Sequence, residues 1–238
     1  DNALRFSQAT DNFSVFNITG PIVLGNNASI TYQGSATRPL VIPSIISDGG
    51  SGYSLAINDE LYGWGVTGRT VRLTGANTFS GNISLKEGTL EFDTVTDAGG
   101  GASSLGQGTA ITMAGGTLSF IGSSSQSTNR PITQTGSAAY SANGTGGATI
   151  TYNGAISAGA TYFTLTGSPG SAGIITGGIT QTGDSVDATV NGGTWTHQTG
   201  TSRVGDQLTV TGANTIFNLD SGLFQVRDDA DVTAGANL

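Results

Sequence analysis

Residues 71–92 of this chain read VRLTGANTFSGNISLKEGTLEF. Apolar and polar residues alternate at both ends of the stretch, in VRL (residues 71–73) and in TLEF (residues 89–92), and such alternation is typical of a β-strand with one buried face. The segments between them are rich in glycine and asparagine, which favour tight turns. The stretch therefore predicts short strands separated by turns, each strand too short to form a core alone.

The same pattern returns near the C-terminal end of the sequence. The pentapeptide TGANT stands at residues 74–78 and again at residues 211–215. A glycine-led strand pattern follows each copy, GTLEF at residues 88–92 and GLFQV at residues 222–226. We interpret the two stretches as degenerate copies of one module. The modules span approximately residues 1–121 and 122–238, and the repeat positions with a predicted structural role are Gly75, Asn77, Gly212 and Asn214.

Strand signals of this kind recur along the whole chain, for example in ATITY at residues 148–152. No stretch of a dozen residues keeps the 3.6-residue apolar period of a helix without interruption by Gly or Thr. Stacked coils would align the few apolar side chains of each strand into one continuous core. We therefore predict an all-β fold, a single parallel β-solenoid over residues 1–238. At about 20 residues per coil it would have roughly 10–12 coils.

The composition excludes several classes of function. Charged residues make up 10% of the chain, the formal net charge is −8, and the few basic residues are scattered. Without a basic stripe we expect no binding to nucleic acid, and without an apolar run of about 18 residues we expect no insertion into a membrane. The absence of cysteine excludes disulfides, thiolate metal sites and cysteine nucleophiles. The sequence predicts no cofactor.

Residues 72–92 resemble the passenger-associated transport repeat of autotransporter passengers and related bacterial surface proteins, and residues 104–121 (SLGQGTAITMAGGTLSFI) resemble the segment that usually follows it. Two departures from the family pattern are present. Residues 82–83 are Asn-Ile where the family has Gly-Thr, and residues 216–218 (IFN) lack the Ser-Gly step. The resemblance implies a right-handed, single-stranded parallel β-helix that is secreted across an outer membrane and often serves adhesion or aggregation.

Signals for catalysis or metal binding are weak. His197 is the only histidine and lies in a strand-like segment, so a strand role is favoured over that of a catalytic base. Glu91 and Asp93 share one strand face, and we expect them to point into solvent rather than to form a glycan-cleaving pair. An acidic turn at residues 228–231 is favoured over a calcium site.

Thr-x-Thr pairs recur every 14 to 16 residues, and this pattern resembles the ice-binding ladder of some antifreeze solenoids. If the threonines point outward, the residues between them point inward. Two of those residues are Gln134 and Gln181, which need hydrogen-bond partners in the core or cost about 1–3 kcal/mol each. Because the spacing is short for one coil, we expect successive pairs on different faces and favour ordinary strand threonines. The pairs begin at Thr133, Thr149, Thr164, Thr180, Thr194 and Thr209.

Tyr62 and Trp64 form the most suggestive aromatic cluster, because glycines flank the indole in YGWG at residues 62–65. They are candidate ligand contacts, and the alternative is that Trp64 caps a coil or packs under a loop. No catalytic or metal-binding residue is predicted.

The function predicted from these observations is that of a non-enzymatic, extracellular structural or adhesive segment at a bacterial cell surface or secreted from it. Its expected partners are further copies of itself, or glycans or proteins of a host or neighbouring cell. An extracellular filament subunit that stacks end to end is the alternative. A glycan-binding or glycan-degrading β-helix and an ice-binding solenoid are less favoured.

Overall fold

The computed structural model describes residues 3–7, 16–34, 37–58, 68–183, 185–232 and 236–237. Within these ranges the chain forms short β-strands and no helix. In chain order the strands are β1 (Ala3–Ser7), β2 (Phe16–Asn17), β3 (Ile22–Val23), β4 (Ala28–Gln33), β5 (Leu40–Ile42), β6 (Ile46–Ser47), β7 (Leu55–Ile57), β8 (Thr70–Leu73), β9 (Ile83–Leu85), β10 (Thr89–Phe92), β11 (Ile111–Met113), β12 (Gly116–Phe120), β13 (Gln126–Thr128) and β14 (Ile132–Gln134). They continue with β15 (Ala138–Ala142), β16 (Thr149–Tyr152), β17 (Ile156–Gly159), β18 (Phe163–Gly167), β19 (Ala172–Ile175), β20 (Ile179–Gln181), β21 (Ala188–Asn191), β22 (Thr194–His197), β23 (Thr201–Val204), β24 (Gln207–Thr211), β25 (Thr215–Leu219), β26 (Leu223–Val226), β27 (Asp229–Val232) and β28 (Ala236–Asn237).

All strands but β3 and β6 stack into three long parallel sheets, and β3 and β6 pair in a separate two-stranded parallel sheet, so the predicted all-β parallel solenoid is confirmed. Sheet A has the order β1-β4-β7-β9-β11-β14-β17-β20-β23-β26, and sheet B has the order β2-β5-β8-β10-β12-β15-β18-β21-β24-β27. Sheet C has six strands, β13-β16-β19-β22-β25-β28, and closes the third side of the later turns. Sheets A and B both run without interruption past residue 121, where the two sequence modules meet.

The solenoid makes about nine turns, fewer than the number expected from the sequence. The reason is that most turns are longer than the coil length assumed in the sequence analysis, and that their length varies. In sheet B, Val71 pairs with Leu90 on the next turn, whereas Leu40 pairs with Val71 across a much longer stretch of chain. The extra residues lie in the corners and connections, so they lengthen a turn without changing the register of its strands.

The core is a column of inward-pointing side chains between the sheets. Val71, Leu90, Leu118, Tyr140 and Leu165 occupy the same register position on successive turns of sheet B, and each is at most 2% exposed. Their neighbours along each strand point outward, as the sequence alternation predicts. No single turn buries enough apolar surface to be stable by itself, and stacking supplies the rest.

The segment of residues 93–110 closes the third side of one of the earlier turns, where no sheet C strand is present. Arg130 is buried beneath it, with 1% exposure, and its guanidinium donates hydrogen bonds to the carbonyls of Leu105 and Gly106 and to the Thr96 hydroxyl. Burial lowers the pKa of Arg130, while the charge of Asp97 opposes that shift. This buried cation therefore relies on neutral oxygen atoms to hold the segment against the core.

Gly173 leaves room for the indole of Trp195, which is fully buried on the next turn. A Cβ atom at Gly173 would overlap the six-membered ring of that indole. We expect Gly173→Ala to lower the free energy of unfolding by about 1–3 kcal/mol, because overpacking forces a buried ring to move. Urea denaturation followed by circular dichroism measures the change.

The matched background for this test is Trp195→Phe, whose smaller ring leaves space beside residue 173. In that background Gly173→Ala should cost less than half as much, as expected for residues in direct contact. An equal cost in both backgrounds would show that overlap with the indole is not the cause.

Candidate functional site

Tyr62 and Trp64, the candidate ligand contacts of the sequence, lie outside the described residues. The repeat positions Gly75, Asn77, Gly212 and Asn214 all lie inside them.

Asn77 links three successive turns. It is fully buried, its Oδ1 accepts a hydrogen bond from the Ile46 amide at 2.8 Å, and its Nδ2 donates to the Ser104 carbonyl at 2.7 Å. Gly75 lies so close to the backbone of Ser44 that a Cβ atom would overlap the Ser44 carbonyl. The first TGANT copy is therefore a structural joint between turns, and the side chain of Asn77 is used within the fold.

The second TGANT copy has the same residues in a different conformation. Gly212 and Asn214 both have positive φ angles, of 91° and 62°, and form a tight turn between β24 and β25. Asn214 is exposed, whereas Thr215 is buried and its hydroxyl accepts a hydrogen bond from the Gly192 amide at 2.8 Å. Directly after this tight turn the chain enters β25, a strand of sheet C. The solenoid turn that contains Asn77 has no strand of sheet C.

Asp48 is a buried carboxylate with 3% exposure. Burial is the largest influence on it and raises its pKa, but four hydrogen bonds outweigh that influence and lower the pKa to about 2. The donors are the backbone amide and the hydroxyl of Ser80 and the amides of Gly50 and Tyr53, at 2.8 to 3.0 Å. Because Ser80 lies on the next turn, Asp48 joins two turns, and its oxygens are occupied.

His197 points into the core from β22, as the strand role favoured by the sequence requires. It is 1% exposed, its ring lies 5.3 Å from that of Phe224, and its Nε2 has no hydrogen-bond partner among the described residues. Burial lowers the pKa of His197, and a hydrogen bond with the Ser221 backbone opposes this shift. The imidazole is shielded from solvent and packs as an aromatic core residue.

The two carboxylates of the β10 region have structural partners. Glu91 Oε2 lies 2.6 Å from Arg72 Nε, and both side chains are partly exposed on the outer face of sheet B. Asp93 accepts a hydrogen bond from the hydroxyl of Ser104. Neither arrangement presents a pair of carboxyl groups across an open cleft, which glycoside cleavage requires.

Asp206 and Asp228 lie next to each other on successive turns. A hydrogen bond between their side chains, together with burial and the charges of Asp228 and Asp187, raises the pKa of Asp206. In the part of the chain that the structure describes, no group of three or more His, Cys, Asp or Glu side chains has the geometry to hold a metal ion. The acidic turn therefore contributes one carboxyl to a hydrogen-bonded pair.

The six Thr-x-Thr pairs do not form one ladder. They fall in turn on β14, β16, β18, β20, β22 and β24, which belong to sheets A, C, B, A, C and B. The residues between the threonines are all buried, as predicted; they are Gln134, Ile150, Leu165, Gln181, Trp195 and Val210. The pairs are strand threonines on three different faces, two pairs on each.

The two buried glutamines hold the same corner of the chain. Gln134 Nε2 donates to the Thr161 hydroxyl at 2.7 Å and to the Tyr162 carbonyl at 2.6 Å. Gln181 Nε2 donates to the carbonyls of Thr161 at 2.8 Å and Asp187 at 3.1 Å. The sequence indicated that these side chains need partners, and the structure supplies them largely from neighbouring turns.

A groove of about 560 Å³ runs along the corner where the chain passes from sheet A to sheet B. The groove is open to solvent, and its walls are formed by polar or small residues from four turns. These lining residues are Gly68, Lys86, Glu87, Gly88, Thr89, Ala114, Gly115, Gly116, Thr117 and Ser137. Sequence reasoning missed this groove, because its residues are far apart in the chain and each looks like an ordinary turn.

No protein-family model, curated protein or solved structure matches this chain. Among the residues that the structure describes, no helix is long and apolar enough to cross a membrane. The resemblance of residues 72–92 to the passenger-associated transport repeat therefore stays a prediction.

The two asparagines of the TGANT copies differ in what they contribute. We expect Asn77→Gly to lower the free energy of unfolding by about 2–4 kcal/mol, because it leaves two buried backbone groups without partners. Asn214→Gly should change it by less than about 0.5 kcal/mol, since glycine readily adopts the positive φ at that position. Urea denaturation of both variants compares them directly, and equal losses would contradict the inter-turn role of Asn77.

Asp48 should make the free energy of unfolding depend on pH in the acidic range. Its folded-state pKa of about 2 lies below the ordinary value of 3.8, so its stabilising effect is complete above pH 3.8 and is lost as the pH falls toward 2. In Asp48→Asn this part of the pH dependence should disappear. Urea denaturation at a series of pH values tests it, with Asp220→Asn, an exposed carboxylate, as the control. A parallel pH profile for wild type and Asp48→Asn would refute the assignment.

Proposed function

We propose that this chain is a segment of a non-enzymatic, extracellular β-solenoid that mediates contact at a bacterial cell surface, in adhesion, aggregation or a biofilm matrix. The proposal combines the passenger-like repeat of residues 72–92 with the rod-like stack of about nine turns. We further propose that the chain is of the autotransporter-passenger type of surface protein.

The observation that carries the proposal is the outer surface of sheet B. Threonine hydroxyls repeat at one register position over successive turns, with Ala139 as the exception between them. The threonines of this column are Thr70, Thr89, Thr117, Thr164, Thr189 and Thr209. A long, regular, hydroxyl-rich surface is suited to many weak contacts in parallel, which multivalent display turns into firm attachment.

Three titratable side chains that could in principle act in catalysis form contacts within the fold instead. His197 is buried against Phe224, Asp48 is saturated by hydrogen bonds, and Glu91 pairs with Arg72. These contacts support a structural rather than an enzymatic assignment.

An end-to-end filament is a second candidate. Apolar side chains are exposed near the outermost described strands, with Leu4, Phe16 and Val23 at one end and Leu219 and Leu223 at the other. The edge strand of a parallel sheet can in general be extended by a strand of another copy. Contacts between unlike ends produce an open filament when they repeat.

Latex beads coated with the purified protein should adhere to bacterial or host cells, or to one another, about tenfold more than beads coated with the heat-denatured protein. Release of reducing ends from polysaccharides, measured on the same preparation, should stay at background. Electron microscopy over a range of concentrations distinguishes isolated rods from filaments. Beads that neither adhere nor aggregate would refute the adhesive function, and concentration-dependent filaments would favour the second candidate.

A further inference from the structure

The corner between sheets A and B continues beyond the groove in a line of outward-pointing side chains. Ser137 lines the groove, and the next residue at that position, one turn further along, is Tyr162. The amide of Ala138 donates to the Tyr162 carbonyl at 3.2 Å, so the two turns are in direct contact there. On the following turn the same position is held by Asp187.

Tyr162 differs in its environment from the buried tyrosines of this chain. Its side chain is 52% exposed, whereas Tyr32, Tyr140 and Tyr152 are at most 1% exposed. Phe163, its neighbour, points into the core, so the ring of Tyr162 points away from it. An aromatic ring presented to solvent beside a polar groove is a platform on which the C–H face of a sugar ring can stack.

The backbone that presents Tyr162 is fixed from below. Gln134 and Gln181 are 3% and 0% exposed, and their amide groups bind the backbone or side chain of Thr161, Tyr162 and Asp187. Burial of a glutamine amide is unfavourable unless the amide forms hydrogen bonds, and both of these amide groups form theirs at this one corner. Supporting contacts of this kind hold a recognition residue in one orientation before the ligand arrives.

The floor of the groove consists largely of backbone. Gly68, Gly88 and Gly116 have positive φ angles, of 76°, 70° and 78°, and a Cβ atom at Gly116 would overlap the Gly88 carbonyl of the neighbouring turn. Lys86 and Glu87 stand at its wall with opposite charges, and the hydroxyls of Thr89, Thr117 and Ser137 complete the lining. The lining therefore offers hydrogen-bond donors and acceptors interspersed with apolar surface of similar extent, the combination that a sugar ring with hydroxyls and C–H groups presents.

We propose that this corner, from Lys86 and Glu87 through Ser137 to Tyr162 and Asp187, binds a neutral oligosaccharide. Tyr162 stacks on one sugar ring, and the groove residues exchange hydrogen bonds with the hydroxyls of its neighbours. The inference rests on the proposed adhesive function and supplies a ligand class and a site for it. The groove volume lies within the range of ordinary small-ligand sites.

Other ligand classes fit the corner less well. An acidic polysaccharide would approach Asp187 and the Asp206–Asp228 pair on a chain of net charge −8. A peptide strand needs a free sheet edge or apolar pockets, and the corner lies between two sheets with paired strands. Nucleic acid requires a cluster of basic residues, whereas Lys86 is the only lysine.

The test uses the purified chain on an array of cello-, malto-, laminari- and manno-oligosaccharides, with oligogalacturonates as the acidic comparison. Calorimetry then measures the affinity for the neutral oligosaccharide that binds. Ser137→Trp, which places a bulky side chain in the groove from an exposed position, should weaken binding by about tenfold or more. Tyr162→Ala should have a similar effect, and Tyr162→Phe, which keeps the ring, should retain most of the affinity.

Thr180→Trp is the matched control, because Thr180 is exposed on the outer face of sheet A, away from the groove. It should bind as the wild type does, and circular dichroism should show that all four variants are folded. The inference is overturned if the wild type binds no neutral oligosaccharide, if it prefers oligogalacturonate, or if Ser137→Trp and Tyr162→Ala bind as tightly as Thr180→Trp.

The bead assay separates this inference from the adhesive function. If Ser137→Trp and Tyr162→Ala bind no oligosaccharide and beads coated with them lose attachment to cells, both proposals are supported. If beads coated with Ser137→Trp or Tyr162→Ala attach as well as wild-type beads, the adhesive function stands and the corner is not the site that supplies it.

Discussion

The rest of the structure depends on one constraint, that alternate side chains of every turn lie directly above those of the turn before. A shift by one residue would exchange the inward and outward sets of a strand, so register is strictly maintained. The column from Val71 through Leu90 to Leu118 keeps it, although the second of the two intervening stretches of chain is much longer than the first. The number of residues can vary at the corners but not in the strands. For this reason the fold tolerates repeats of unequal length.

Polar side chains in the interior work under the same constraint. Asn77 and Asn58 each accept a hydrogen bond from the turn before and donate one to the turn after. Gln134, Gln181 and Arg130 use their hydrogen bonds to fasten corners and connections instead. Burial of these groups is tolerable because each reaches backbone or hydroxyl partners. The interior thereby ties together segments that the apolar column does not touch.

The sequence predicts the strands well and the turns poorly, for a physical reason. Alternation in residues 71–73 and 89–92 correctly predicts both the strands and the side chains that face inward, since strand periodicity is local. The length of a turn is set at corners, which have no period, so the uniform coil length assumed from the sequence was too short. Identical TGANT segments adopt two conformations because sheet C is present beside one and absent beside the other. The corner groove was invisible for a related reason, since it assembles residues from four turns.

The direction of the inter-turn hydrogen bonds has a mechanical consequence. In sheets A, B and C these bonds run along the axis of the stack, while the strands run across it. Tension applied to the chain at one end therefore opens the ladder of one turn at a time, rather than shearing many turns together. Each step releases one turn of the solenoid, on the order of 65 to 110 Å of extended chain. A solenoid built in this way yields by successive increments under load, and the turns that have not opened keep their structure.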